Sequence, residues 1–216
     1  MSGVEQLIYQ FKNCYHTSLS LTARTATGEN VRLRPLQATA EYVRPEDVEL
    51  LTEWRNRNRQ YFMSDFTATI ERTLHWLTQI AGPDLTRILF MLEASNHSFG
   101  HVGLCNIEEE RSYCEIDNVV RGCGGPRGAM SATVATLCRW ARERLGLNDI
   151  WVRVMADNPS VAFYSRLGFR SVRDVPLERR IEGDLVRWVE IGGDQRGTER
   201  THQLAQRYLK YMRLWA

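Results

Sequence analysis

The chain has 216 residues, 43% hydrophobic and 25% charged, with a formal net charge of +2. That composition excludes disorder throughout and supports one sizeable core, in one domain with or without extensions. A net charge this small gives no ground for a nucleic-acid partner. The five cysteines, Cys14, Cys105, Cys114, Cys123 and Cys138, form no CxxC pair. Neither a zinc site nor a disulfide framework follows, and a reducing, cytoplasmic setting is expected. No apolar run approaches the roughly 20 residues that a membrane helix needs. The segment Met1-Ser2-Gly3-Val4-Glu5-Gln6 has no signal-peptide pattern.

Residues 1–29 read as an N-terminal extension. Val4, Leu7, Ile8 and Phe11 have helical spacing, and residues 18–28 read as irregular or weakly extended. Alternation over residues 30–36 predicts a first strand. Pro45-Glu46-Asp47 opens a helix through Leu50, Leu51 and Trp54. A second helix is predicted over 69–80, with Ile70, Leu74, Leu77 and Ile80 as its apolar stripe, ended by Gly82-Pro83-Asp84. Strands follow over 87–93, 100–107 and 112–120, joined by turn-length polar gaps and so antiparallel. A glycine-rich loop over 121–128 leads into a helix over 129–145. A strand over 150–155, a short helix over 160–167 and a strand pair over 169–175 and 185–191 come next. Residues 198–214 read as a terminal helix, from the spacing of Leu204, Tyr208, Tyr211, Met212 and Trp215. The order describes a mixed α/β (α+β) domain over 30–192 around one sheet, followed by a C-terminal helical extension over 193–216.

Chemistry concentrates after residue 112. Arg121-Gly122-Cys123-Gly124-Gly125-Pro126-Arg127-Gly128 precedes the helix that starts at Ala129. The first amides of a helix lack intrahelical partners and the helix dipole favours an anion there, so this junction suits a pyrophosphate. GxGxxG and a GK[ST] ending are both absent, which argues against a dinucleotide or ATP. Glu115 and Asp117 share one face of the strand over 112–120 by period-two geometry.

Asn158, Ala162, Phe163-Tyr164 and Arg166-Leu167-Gly168-Phe169 resemble a segment of the GCN5-related N-acetyltransferase (GNAT) superfamily, the likeness extending over about residues 30–191. Gly125-Pro126-Arg127-Gly128-Ala129-Met130 is similar to that family's pyrophosphate loop at Arg127 and Gly128, and departs from it at Gly125 and Met130. The resemblance implies a central, mostly antiparallel sheet flanked by helices. It also implies acetyl-CoA as cosubstrate and direct transfer to an amine in a ternary complex. It places Tyr164 as general acid toward the departing thiolate, and the two acids on one strand face, Glu115 and Asp117, suit taking the amine's proton or holding its ammonium. The cosubstrate would meet Val119, Val120, Arg121, Arg127, Gly128, Ala129, Met130, Asn158 and Tyr164.

Trp54-Arg55-Asn56 also resembles a segment of acetyltransferases acting on nucleotide-linked amino sugars, and appears in those acting on protein N-termini or antibiotics. Arg55 and Asn56, with Glu115 and Asp117, are thus the candidate acceptor-binding residues. Arg55, Arg57 and Arg59 would suit an acceptor bearing phosphate. His75 and His101 stand alone without metal-ligand spacing, so no metal is proposed. The expectation is an acetyltransferase for a small-molecule amine, an amino sugar for preference, working as a monomer or homodimer without nucleic acid or membrane. The alternatives are a degenerate module that binds CoA or a partner, or an N-acetyltransferase of proteins.

Overall fold

The computed structural model describes residues 1–15, 19–191 and 205–215. Their packing separates them into two units, residues 1–54 with 69–150 and residues 55–68 with 151–216. Among the described residues each unit holds five strands, and neighbouring strands within each are antiparallel. This is the mixed, mostly antiparallel α/β fold expected from the sequence.

Unit 1 begins with α1 (Gly3–Lys12). Ser2 caps it: the Glu5 amide donates to Ser2 Oγ at 3.2 Å, and the Ser2 amide donates to Glu5 Oε2 at 2.8 Å. The strands are β1 (Leu21–Arg24), β2 (Asn30–Pro35), β4 (Ile88–Ala94), β5 (His97–Glu108) and β6 (Tyr113–Arg121), side by side in that order. The β4–β5 turn is Ser95-Asn96 with φ of 49° and 64° at its two residues, the left-handed pair that a two-residue hairpin requires. Helix α4 (Ala129–Leu145) buries Val134, Leu137, Cys138 and Ala141. Phe11 of α1 meets both Phe90 and Trp140 edge-on, at 6.0 and 5.1 Å between ring centroids. The segment before the first expected strand is therefore built into this unit's core.

Helix α2 (Pro45–Arg57) starts with its acids in the first turn, as expected. Asp47 there accepts two bonds from Arg34 of β2, at 2.8 and 3.0 Å. Helix α3 is shorter than predicted: α-helical turns run over Ile70–His75 and a π-helical stretch over Trp76–Ala81. The π turn changes the angular phase, so the expected stripe breaks up. Leu77 is fully buried, while Ile70, Leu74 and Ile80 are exposed.

Unit 2 holds β7 (Asp149–Met155, from Trp151 on), β8 (Phe169–Glu182), β9 (Leu185–Glu190), β10 (Arg207–Leu214) and the two-residue β3 (Ser64–Asp65). Their order is β7-β10-β8-β9-β3. Helix α5 (Ser160–Arg166) lies between β7 and β8 in the chain. Met155, Leu177 and Leu209 form the core, with Met63, Trp188 and Tyr211 packed on it.

The terminal helix expected over 198–214 is a correction. Residues 198–204 lie outside the described residues, and Arg207–Leu214 is strand β10. It is bonded to β7 on one side and β8 on the other. The Leu, Lys, Met and Arg content favours helix locally, but two open strand edges outweigh that preference.

Lys12 fastens α1 inside unit 1. Its buried ammonium donates to the carbonyls of Ala81, Gly82 and Asp84, at 2.7, 3.2 and 2.5 Å. Burial lowers its pKa from 10.5 to about 8, against an opposing pull from Asp84, with Arg87 adding to the decrease. Between those values the unfolded chain holds a proton that the folded chain has released, so stability gains as pH rises through the window. Lys12→Met should be less stable by about 1–3 kcal/mol, because three carbonyls lose their donor. The advantage of wild type over the variant should grow with pH across the window, as read by urea unfolding. An advantage that is flat with pH would show that burial does not move this amine.

Candidate active site

Strand β6 is irregular where chemistry was expected. Val120 pairs with His101 and Asp117 with Gly103, so Asn118 and Val119 stand opposite the single residue Val102. Asn118 has φ of 50°, the left-handed conformation that a bulge imposes. A bulge takes backbone groups out of the ladder and re-aims them. It includes Val119 and adjoins Val120, two residues expected to meet the cosubstrate.

Glu115 and Asp117 do share a face of β6, and they differ in setting. Glu115 is buried: its Oε1 accepts from Asn106 Nδ2 at 2.9 Å and from Tyr113 Oη at 2.7 Å. Asp117 is half-buried and accepts from the neighbouring Asn118 amide group. The sequence reading missed Asn106 and Tyr113. Tyr113 was accessible to it, being two residues from Glu115 on the same strand face. Asn106 was not, because it reaches Glu115 from a second bulge, in β5, with φ of 49°.

The glycine-rich loop uses its glycines in two ways. A Cβ on Gly122 would lie 2.2 Å from the Trp54 ring, and one on Gly125 would lie 2.5 Å from the Phe99 ring. These two glycines let the loop lie against aromatic walls. Trp54 itself is buried and stacked on His101, with centroids 6.0 Å apart and planes 18° apart. Gly124 and Gly128 have φ of 74° and 79° with open space where a Cβ would be. Gly128 is the N-cap of α4 and brings no side-chain cap to it. Arg121 and Arg127 are exposed, Ala129 is buried and Met130 half-buried. A 17-residue helix with a glycine N-cap, open space before it and two arginines in the approach fits a pyrophosphate.

Asn158 and Tyr164 belong to unit 2. The Asn158 amide donates to the Met155 carbonyl at 2.9 Å, and Asn158 Oδ1 accepts from the Ser160 amide at 2.8 Å. This Asx turn starts α5. Tyr164 is buried, edge-on to Phe163 and Phe169 at 5.2 and 5.7 Å.

Arg55 and Asn56 are engaged in holding their own loop. Arg55 Nη2 donates to the carbonyl and hydroxyl of Ser64, at 2.5 and 2.9 Å. Its guanidinium lies 3.9 Å from the Phe62 ring centroid and 4.8 Å from that of Phe66. Asn56 donates to the Ala68 carbonyl at 3.0 Å and accepts from the Ala68 amide at 2.7 Å, closing the loop at its base. Arg59 is likewise paired, with Asp65 at 3.2 Å. Thus Glu115, Asp117, Val119, Val120, Arg121, Arg127, Gly128, Ala129 and Met130 are gathered in unit 1. Asn158, Tyr164, Arg55 and Asn56 are in unit 2.

The two kinds of glycine should respond differently to substitution. Gly122→Ala overpacks Trp54 and should cost about 1–3 kcal/mol, whereas Gly124→Ala meets only backbone strain of about 1 kcal/mol. Urea unfolding of the two variants compares them directly. Equal losses would refute the aromatic-wall role of Gly122.

Comparison with known proteins accords with this geometry. The sequence profile of the GNAT acetyltransferase domain matches residues 38–170, more than half of the chain. No curated relative matches the sequence. A probable GNAT-family acetyltransferase from Chromobacterium violaceum superposes with a TM-score of 0.61 at 19% identity, over 89% of this chain and 93% of that one. The spermidine N-acetyltransferase from Vibrio cholerae, solved with CoA and spermine, gives 0.62 at 14% identity, over 85% and 94%. A GCN5-related N-acetyltransferase from Brucella melitensis gives 0.63 at 16%, over 92% and 79%. At these identities the superpositions speak for the fold, and the profile speaks for descent. The chain belongs to the GNAT family, the acyl-CoA-dependent N-acetyltransferases.

Proposed function

We propose that the protein moves an acetyl group from acetyl-CoA to the primary amine of a small molecule, by direct transfer in a ternary complex. The observation that carries this reading is the continuity of the β6 bulge with the loop and the uncapped N-terminus of α4. One stretch of chain thereby supplies irregular backbone donors and, a few residues on, an anion-binding helix start. In this reading acetyl-CoA supplies a thioester carbonyl and a thiolate leaving group. Arg121, Arg127 and the amides over 128–130 hold the pyrophosphate, and backbone N–H groups at the bulge stabilise the developing oxyanion. Asn158 sets the turn beside the CoA arm. Tyr164 donates a proton through its phenol hydroxyl to the departing thiolate. Glu115 or Asp117 takes the amine's proton or holds its ammonium.

The W-R-N resemblance points to an amino sugar or its nucleotide as acceptor. Of the three arginines that would suit a phosphate on that acceptor, Arg55 and Arg59 already make contacts within their own loop, which lends that choice less support. A polyamine is the second reading, supported by the two carboxylates of β6 and by the fold shared with the Vibrio cholerae spermidine enzyme. A thermal shift with acetyl-CoA, followed by thiol release across amino sugars, their nucleotides, polyamines and peptide N-termini, tests the proposal. Thiol release with a small amine is the expected result. Binding without turnover would identify a CoA-binding module instead, and turnover with peptides alone would identify a protein acetyltransferase.

Two variants test the roles. Tyr164→Phe should lower kcat by about 10- to 100-fold and leave acetyl-CoA affinity nearly unchanged, because only the hydroxyl is lost. Wild-type turnover in that variant would remove Tyr164 as the acid. Glu115→Gln should abolish the acidic limb of the pH–rate profile if Glu115 is the base. A retained limb would transfer that role to Asp117 or to water.

A further inference from the structure

Arg207, the first residue of β10, joins three pieces of unit 2. Its Nε donates to Asp157 Oδ2 at 3.1 Å, and its Nη2 donates to Oδ1 and Oδ2 at 2.6 and 2.9 Å. Its Nη1 donates to the Gln60 carbonyl at 3.1 Å. The guanidinium also stands 5.0 Å over the Trp188 ring, and the Trp188 amide donates to the Met63 carbonyl at 2.8 Å. One planar group thus meets the turn after β7, the loop over 55–68 and strand β9.

Two of these attachments lead to segments that carry candidate site residues. Asp157 precedes Asn158, whose side chain starts α5 and so sets the position of Tyr164. The same turn is tied to β10 by its backbone, the Ala156 amide donating to the Tyr208 carbonyl at 2.9 Å. Gln60 lies in the 3₁₀ turn Arg59–Tyr61 of the loop that Arg55 and Asn56 hold together. A pair whose carboxylate side chain is 62% exposed adds little stability. Its planar, bidentate form with a third arm to a carbonyl instead fixes geometry, which a lysine's single point charge would not reproduce.

We propose that Arg207 is a positioning residue that makes the loop over 55–68 and the turn over 156–158 move as one body. The inference rests on the function proposed above, in which the turn serves the CoA side and the α5 acid. The test uses full-length Arg207→Lys and Asp157→Asn, with acetyl-CoA and the amine that supports thiol release. Arg207→Lys should leave the melting temperature close to wild type and raise KM for acetyl-CoA and for the amine together, by about tenfold. Amide hydrogen exchange gives a readout that does not need turnover. Asp157→Asn should speed exchange over residues 59–64, which Asp157 does not touch, as well as over 156–160. Exchange rising only over 156–160, or both KM values unchanged in Arg207→Lys, would reduce Arg207 to a local strut. Absence of turnover in the wild type would count against the proposed function alone, since the exchange experiment still decides whether the two segments are coupled.

Discussion

Unit 1 depends on a charge placed in its interior. Arg34 of β2 and Asp47 of α2 have side chains only 8% and 4% exposed, joined by two parallel hydrogen bonds. Glu93 of β4 takes the remaining Nε–H. Burial alone would make this guanidinium easier to deprotonate, but the two carboxylates more than compensate and hold its proton more tightly than usual. Such a network adds little net stability over an apolar substitute, because desolvation offsets most of the attraction. Its consequence is register: a bidentate pair at the first turn of α2 permits one rotation and one height of that helix over β2 and β4.

That register reaches the site along α2. Two turns after Asp47 the helix places Trp54 in the core, and the ring of Trp54 is the wall against which Gly122 lies. The loop is also tied to β5 by the Gly122 amide, which donates to the Phe99 carbonyl at 2.7 Å. A wall on one side and a strand on the other define where Gly124 to Gly128 turn and where the first amides of α4 point. The candidate anion site thus inherits its geometry from a tryptophan of the core.

Most regular elements were legible in the sequence, because their periodicity coincides with their burial. Helix α4 matched its expected bounds, and β2, β4, β5, β6 and β7 were recovered to within a few residues. The failures have distinct causes. Residues 207–214 carry helix-favouring side chains and became a strand because β7 and β8 offered hydrogen bonds on both sides. The stripe of α3 was lost to a π turn, which no residue type announces. Strand β3 has two residues and exists only through Arg187 and Val186 opposite it. At the candidate site, the carboxylates and the helix start were legible because strand and helix periods are local. The bulges at Asn106 and Asn118 were not, since they arise from a register mismatch between two strands.

The same distinction bears on the arginines of the W-R-N segment, which serve their own loop. The chain has only two lysines among 28 basic residues, so arginine carries nearly all its positive charge. In such a chain an arginine near a helix end is weak evidence for an anionic ligand. Arg34, Arg55 and Arg207 each use the guanidinium fork to join segments distant in sequence or within a loop. The two lysines do different work. Lys12 directs one ammonium at three carbonyls, and Lys210 makes a simple pair with Asp174. What separates Arg121 and Arg127, the candidate anion-site arginines, from the connectors is therefore position rather than type. Arg121 ends β6 and its Nη2 donates to the Gly124 carbonyl at 3.3 Å, while Arg127 is exposed next to the glycine N-cap of α4. A guanidinium next to a helix N-terminus acts with the helix dipole, and the two together favour a phosphate.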